Sequence, residues 1–213
     1  MNNSETGMTL LSFFSMGGIF MWPLLAFSIA TISIAMERAV FLIRSNLRMD
    51  DIKEALTGFL RKNDFSGARE FLNEKRKRRM GARILYTLYE YPKLSEHRLE
   101  KNAETEAAAC VDSLENGFDY LTTLGALSPL TGFLGTVSGM IGAFKSIAEA
   151  TEVNAQIVAN GIYEALITTV FGLVIAIVAM VASSLLTHAV DRFAGEVERI
   201  SSKIISELVS DED

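Results

Sequence analysis

One carboxylate lies inside a long apolar segment of the sequence. Glu164 is the only acidic or basic residue between positions 157 and 187. An ionised carboxylate in hydrocarbon would cost several kcal/mol, so we expect Glu164 to face protein or a water-filled cavity, where it could accept and release protons. The alternative is that Glu164 lies near the outer end of its helix and extends into water.

Three threonines are candidates for the same polar path. Thr168 lies about one turn after Glu164, and Thr136 and Thr169 are equally far from a turn centred near residues 152 and 153. Thr136 and Thr169 should therefore lie at one depth, where hydroxyl groups from several copies of the chain could line a channel. Buried threonines also commonly bond the carbonyls of their own helix, and that alternative stays open here.

The sequence lacks the local signatures of common enzyme and cofactor chemistry. It contains no CxxC, HExxH, GxSxG, GxxxxGKS/T or GxGxxG motif, so we expect no metal, no cofactor and no catalytic residue. His97 with Glu96 and Glu100 comes nearest to a catalytic group, but such a trio on a helix is typical of a solvated surface. A membrane-bound enzyme is therefore the least favoured hypothesis, and the single cysteine, Cys110, excludes a disulfide framework.

Composition separates this chain from ordinary soluble proteins. The 213 residues are 49% hydrophobic and 22% charged, with a formal net charge of −6. The negative charge disfavours a nucleic-acid partner, and the hydrophobic share indicates membrane segments. Three segments are long enough to cross a bilayer core of about 30 Å, and we predict transmembrane helices over residues 18–37, 120–148 and 157–187.

The polar segment between the first two predicted spans indicates a water-exposed domain. Residues 38–119 hold 16 of the 20 lysines and arginines, and their apolar residues recur at helical spacing. We therefore predict a helical cytoplasmic domain over 38–119. Within it, one long helix could run from Leu88 to Leu124 and continue into the second span.

Charge near the span ends predicts the orientation, because lysine and arginine are retained on the cytoplasmic side. Such residues follow the first and third spans and are absent from the N-terminal tail: Arg38, Arg44 and Arg48, then Arg192, Arg199 and Lys203. The N-terminal tail over 1–17 and the turn over 149–156 are therefore expected outside. The C-terminal helix or tail over 188–213 is expected inside.

Small residues recur on one face of the second span and one face of the third. Membrane helices associate through such residues because small side chains let backbones approach closely. The predicted packing positions are Gly132, Gly135 and Gly139 in the second span and Gly161 and Gly172 in the third. Lys145, near the outer end of the second span, is expected either to pair with Glu149 one turn later or to tune cation access at an outer mouth.

Two sequence strings and one dipeptide resemble a known family. Residues 127–140 read LSPLTGFLGTVSGM, residues 161–173 read GIYEALITTVFGL, and Glu37-Arg38 ends the first span. Together they resemble the MotA/TolQ/ExbB proton-channel family. Three predicted spans rather than four favour its ExbB/TolQ branch over its MotA branch.

The resemblance implies an all-α integral membrane protein whose long second and third helices form a pore in an oligomer. It implies a homopentamer in the bilayer of the bacterial inner membrane, around an ExbD- or TolR-like partner with a single span. The proton-motive force would then drive work on a TonB- or TolA-like protein. By position, Glu164, Thr136 and Thr169 match the family's pore-lining polar residues.

The sequence departs from the family pattern at three positions. Asn160 and Val178 stand where proline is usual or frequent, and Tyr163 stands where a small residue is usual. An altered outer mouth and a straighter third helix would follow. A second hypothesis is a non-conducting membrane scaffold that oligomerises through its small-residue faces. Glu164 separates the two hypotheses, because a scaffold gains nothing from a buried carboxylate and would tolerate glutamine there.

Overall fold

The computed structural model describes residues 17–90, 95–149 and 155–210. Over these residues the secondary structure is entirely helical, which confirms the predicted all-α fold. Seven helices occupy the described ranges: α1 (Met21–Arg44), α2 (Asp50–Leu60), α3 (Phe65–Lys75), α4 (Met80–Glu90), α5 (Glu96–Glu115), α6 (Phe118–Glu149) and α7 (Ala155–Ser210).

Three of these helices have the length and apolar composition needed to cross a membrane. They are α1, α6 and the long helix α7, in which the candidate span lies within Val158–Val209. Pro23 occupies the first turn of α1, where a missing backbone N–H costs nothing because that donor has no partner within the helix. Three membrane helices were predicted, and the structure confirms them. The predicted tail over 1–17 and turn over 149–156 lie mostly outside the described residues.

The chain divides into two compact units. The membrane unit comprises residues 17–36 and 119–183, and the polar unit comprises residues 37–118 and 184–210. In the membrane unit, Met21 and Leu24 of α1 form a buried cluster with Ile167 and Ile175 of α7. Many large apolar side chains on the other faces of its helices are exposed, Ile177 among them. That pattern is expected of helices surrounded by lipid or by other membrane helices.

The polar unit packs amphipathic helices around a core of its own. The buried residues of α2 are Ile52, Leu56 and Leu60, and their i, i+4, i+8 spacing places them on one helix face. An ion pair between Arg79 and Asp51 ties the start of α4 to α2. A second pair, between Arg83 and Glu106 at 2.5 Å, ties α4 to α5.

The predicted continuous helix from Leu88 to Leu124 is wrong. Helix α4 ends at Glu90, α5 spans Glu96–Glu115, and α6 begins at Phe118. The second break is at Gly117, whose φ of +95° is a backbone conformation that residues with a side chain rarely adopt. Arg38 Nε would lie 3.0 Å from a Cβ at this position, so the packing of Arg38 also favours glycine here.

The helix that contains the third span continues beyond residue 187, where a C-terminal helix or tail was predicted. Helix α7 continues without a break to Ser210, because apolar residues keep their helical spacing beyond the span. Val190, Phe193, Val197, Ile200 and Ile204 are all buried. The C-terminal half of α7 is thereby part of the core of the polar unit.

Candidate functional site

The seam between α6 and α7 is built from glycines at backbone contact distance. A Cβ at Gly132 would lie 2.8 Å from the carbonyl oxygen of Thr168, and a Cβ at Gly172 would lie 2.5 Å from that of Ser128. Both distances are too short for a side chain, and both obstacles are backbone atoms that cannot rotate away. The two helices therefore touch through their main chains at these levels.

The other three predicted packing glycines lie on the same seam. A Cβ at Gly139 would be 3.0 Å from the carbonyl oxygen of Gly161, and one at Gly161 would be 2.9 Å from Ala143 Cβ. At Gly135 the same space is occupied by the side chain of Thr168. The seam thus extends over about three helical turns toward Glu149 of α6 and Ala155 of α7.

Two of the three candidate threonines bond across this seam. Thr168 is buried, and its hydroxyl donates to Ala165 O at 2.8 Å and lies 3.3 Å from Gly132 O. The hydroxyl of Thr169 also donates to Gly132 O, at 3.2 Å. One backbone carbonyl of α6 therefore accepts from two adjacent residues of α7. Thr136 donates instead within its own helix, to Phe133 O at 2.6 Å.

Glu164 lines a cleft at the N-terminal end of α1. The cleft has a volume of about 290 Å³ and lies between the Gly17–Phe20 segment, α6 and α7. Ser138 and Ser146 of α6 contribute hydroxyl groups to its wall, and the glycines of the seam expose backbone there. Among the residues that the structure describes, Glu164 is the only acidic or basic side chain that lines it. A half-buried carboxylate beside hydroxyls and open backbone can exchange protons with water in the cleft.

Gly18 holds the chain directly over the Glu164 carboxylate. Its φ is +63°, and a Cβ there would overlap Glu164 Oε1. The backbone conformation favours glycine, and any side chain at this position would displace the Glu164 carboxylate. Gly18, Ser138 and Ser146 were not predicted from the sequence. The doublet Gly17-Gly18 is the one signal that could have indicated Gly18.

Lys145 lies apart from this cleft. Its Nζ is 3.9 Å from Glu149 Oε1, one turn later on α6, and both side chains are about 70% exposed. A pair this open to solvent contributes little to stability. Among the described residues, no cluster of histidine, cysteine or acidic side chains has the geometry of a metal site.

His97 with its acidic neighbours and Cys110 lie on one helix of the polar unit, α5. His97, Glu96 and Glu100 are all exposed on α5. Cys110 is buried on the same helix, and its burial raises the pKa of the thiol, which lowers its reactivity because the thiolate is the nucleophile.

Comparison with known proteins agrees with this architecture. The model of the MotA/TolQ/ExbB proton channel family matches residues 68–199, more than half of the chain. The chain belongs to this family. The match includes the α6–α7 seam, Glu164 and most of the polar unit. Members of the family are membrane proteins of a proton-channel class, and the resemblance seen in the sequence is confirmed.

Individual relatives carry the name ExbB or the name TolQ, the two names of the branch that the number of spans favours. The chain is 34% identical over 201 residues to the ExbB-like 1 biopolymer transport protein of Synechocystis, covering 87% of this chain and 75% of the relative. It is 30% identical to the biopolymer transport protein exbB1 of Vibrio cholerae over 85% of this chain and 80% of that one. It is 42% identical to the Tol-Pal system protein TolQ of Haemophilus influenzae, over 38% of this chain and 36% of that one.

Proposed function

We propose that this chain is the ExbB/TolQ-like subunit of an inner-membrane proton-channel motor. With an ExbD- or TolR-like partner it converts the proton-motive force into mechanical work on a TonB- or TolA-like protein, for transport or integrity at the outer membrane. The observation that carries the proposal is the position of Glu164. It is the one carboxylate that the described part of the chain places in the cleft of the membrane unit, beside hydroxyls and exposed backbone.

In this proposal Glu164 accepts protons that enter through the cleft. Ser138 and Ser146 provide hydrogen-bonding partners for water along its wall. Thr136 and Thr169 belong to the same path, and Thr168 holds the two helices together beside it. The hydroxyl of Thr168 has its acceptors within the seam, so its role is to position the backbone.

The proposal also includes the assembly and its orientation. The chain forms a homo-oligomer, a pentamer by analogy with its family, and the partner's single helices lie inside the ring. The N-terminus faces the periplasm and the C-terminus the cytoplasm, because arginines follow the first span and the third. Lys145 then lies near the periplasmic end of α6, where it pairs with Glu149 in solvent.

Proton flux into proteoliposomes that contain the chain with its ExbD-like partner tests the proposal. Under an imposed pH gradient, the wild-type complex should conduct protons and Glu164→Gln should not. Glu149→Gln is the matched control, because Glu149 is an exposed carboxylate at the end of α6 outside the cleft. Equal flux in all three complexes would remove Glu164 from the pathway.

Two further results bear on the competing interpretations. The same measurement under a sodium gradient distinguishes a proton channel from a sodium channel, and we expect no sodium flux. The scaffold hypothesis predicts no ion flux in any complex, together with wild-type assembly of Glu164→Gln. A wild-type complex that assembles with its partner and a TonB-like load but conducts nothing would favour the scaffold.

A further inference from the structure

Two grooves of opposite charge flank the C-terminal half of α7 in the polar unit. The first, which we call the acidic groove, lies between α5 and α7 and has a volume of about 240 Å³. Within residues 17–90, 95–149 and 155–210, its charged lining residues are Glu100, Glu104 and Glu198, and no cation lines it. Its floor consists of small residues, including Ala103 and Ala107 of α5.

The second, the basic groove, lies between α2 and α7 and has a volume of about 120 Å³. Lys53, Arg199 and Lys203 surround an apolar floor that includes Leu56 and Ile200. One carboxylate, Glu196, also lines this groove, and its Oε1 lies 3.6 Å from Arg192 Nε. The three cations therefore determine its net charge.

The two grooves lie at one height and on opposite sides of the same helix. The acidic groove uses residues 194–205 of α7 and the basic groove uses residues 196–203. At 100° per residue, the α7 residues that line the acidic groove centre about 180° from those that line the basic groove. Helix α5 forms the outer wall on one side and α2 forms it on the other.

The charged groups of both grooves are largely unpaired within the chain. Among the described residues, Glu100 and Glu198 form no ion pair with a cation. Within the same residues, the three cations of the basic groove form no ion pair with a carboxylate. Glu104 has a solvent-exposed pair with Lys101 at 3.5 Å. Ser201, on the wall of the acidic groove, has a buried hydroxyl oxygen with no hydrogen-bond partner.

We infer that the acidic groove of one copy binds the basic groove of the next copy, so that neighbouring copies meet head to tail. A contact between two different faces at the same height repeats around an axis and closes into a ring. A contact between two like faces would instead bring carboxylates against carboxylates, or cations against cations. The inference rests on the homo-oligomer in the proposed function and names the surfaces that form it.

Cysteine cross-linking in the full-length chain, in membranes and with Cys110→Ala as background, tests the arrangement. Ser202→Cys and Thr57→Cys together, which keep every charge of the two grooves, should give a ladder of dimers, trimers and larger species with a short bismaleimide. Each single variant alone should give no ladder, since Ser202 lines the acidic groove and Thr57 lines the basic groove. Lys77→Cys with Arg78→Cys, exposed and outside both grooves, controls for random collision. Cross-linked species from a single variant would overturn the inference. A double variant that gives no more cross-linked species than the collision control would also overturn it.

Charge reversal in the cross-linking background tests the cause of the contact. Glu100→Lys with Glu104→Lys should reduce the ladder to the level of the collision control. Adding Lys53→Glu with Arg199→Glu to the same chain should restore it, because both faces are then reversed and again complementary. A yield that stays low in the combined chain would contradict charge pairing. Proton flux is a separate readout: a complex that conducts without the cross-link refutes only this interface, and a cross-linked ring that does not conduct refutes only the proposed function.

Discussion

The α6–α7 seam allows a quantitative prediction for Gly132→Ala. The new methyl group would meet Thr168 O at 2.8 Å and Thr169 Cα at 3.1 Å. The two helices must therefore separate by about half an ångström. Such a gap loses about a quarter to a half of the dispersion energy of each contact at that level. Forcing a methyl into a packed site typically costs about 1–3 kcal/mol. The separation also stretches the hydroxyl bonds from Thr168 and Thr169, which are already 3.3 and 3.2 Å long.

Gly142→Ala on the same helix is the matched control, because a Cβ there meets nothing within 4 Å. Both substitutions gain the same helix propensity, up to about 1 kcal/mol, so the difference between them isolates the seam. Interhelical hydrogen bonds in membranes average about 0.6 kcal/mol each, so the expected difference in unfolding free energy is about 2–4 kcal/mol.

The unfolding free energy is measured by titrating detergent-solubilised protein with sodium dodecyl sulfate and following the fluorescence of Trp22, the single tryptophan. Trp22 lies on α1 beside Met21 and Leu24, which pack against α7. A difference in unfolding free energy of less than about 0.5 kcal/mol between the two variants, the usual range for surface substitutions, would refute the close backbone contact.

Three further predictions concern other contacts. Burial raises the pKa of Tyr89 to about 12, above the ordinary value of about 10, so the native state loses stability between those values as the pH rises. Tyr89→Phe should reduce this alkaline loss in thermal melts. It should not destabilise the protein at pH 7, because the hydroxyl has no hydrogen-bond partner among the described residues. The hydrogen bond from Arg79 lowers the pKa of Asp51. The Arg79–Asp51 ion pair therefore stabilises the native state above the ordinary pKa of about 3.9, and this stabilisation is lost as the pH falls through the lowered pKa. Asp51→Asn should flatten the acid side of the plot of melting temperature against pH, by a modest amount because this carboxylate is largely exposed. Gly18→Ala should lower the melting temperature, and adding Glu164→Ala should relieve part of that loss, whereas additive effects would place the carboxylate elsewhere.

The membrane helices could be predicted from the sequence because their signal is local. Apolar runs without charge indicate spans wherever they fold, and the resemblance of two strings placed the chain in its family. The same residues predicted which glycines share a helix face, because that follows from the 3.6-residue period. None of this required knowledge of how the helices are rotated about their axes.

The contacts that depend on rotation and distance along the chain could not be predicted. Thr168 and Thr169 both reach the Gly132 carbonyl, and only the rotation of α7 against α6 brings them there. The contact of Gly18 with Glu164 joins residues far apart in the chain, with no pattern that pairs them. Arg38, whose side chain packs beside the break at Gly117, likewise belongs to another helix.

The central claim is that Glu164 carries protons, and the proton flux of the Glu164→Gln complex relative to the Glu149→Gln complex tests it most directly. Both variants remove one carboxylate from the membrane unit, and only one of those carboxylates lines the cleft. The account predicts that Glu149→Gln conducts like the wild type and that Glu164→Gln, assembled with its partner, conducts no protons. Wild-type flux through the assembled Glu164→Gln complex would contradict it.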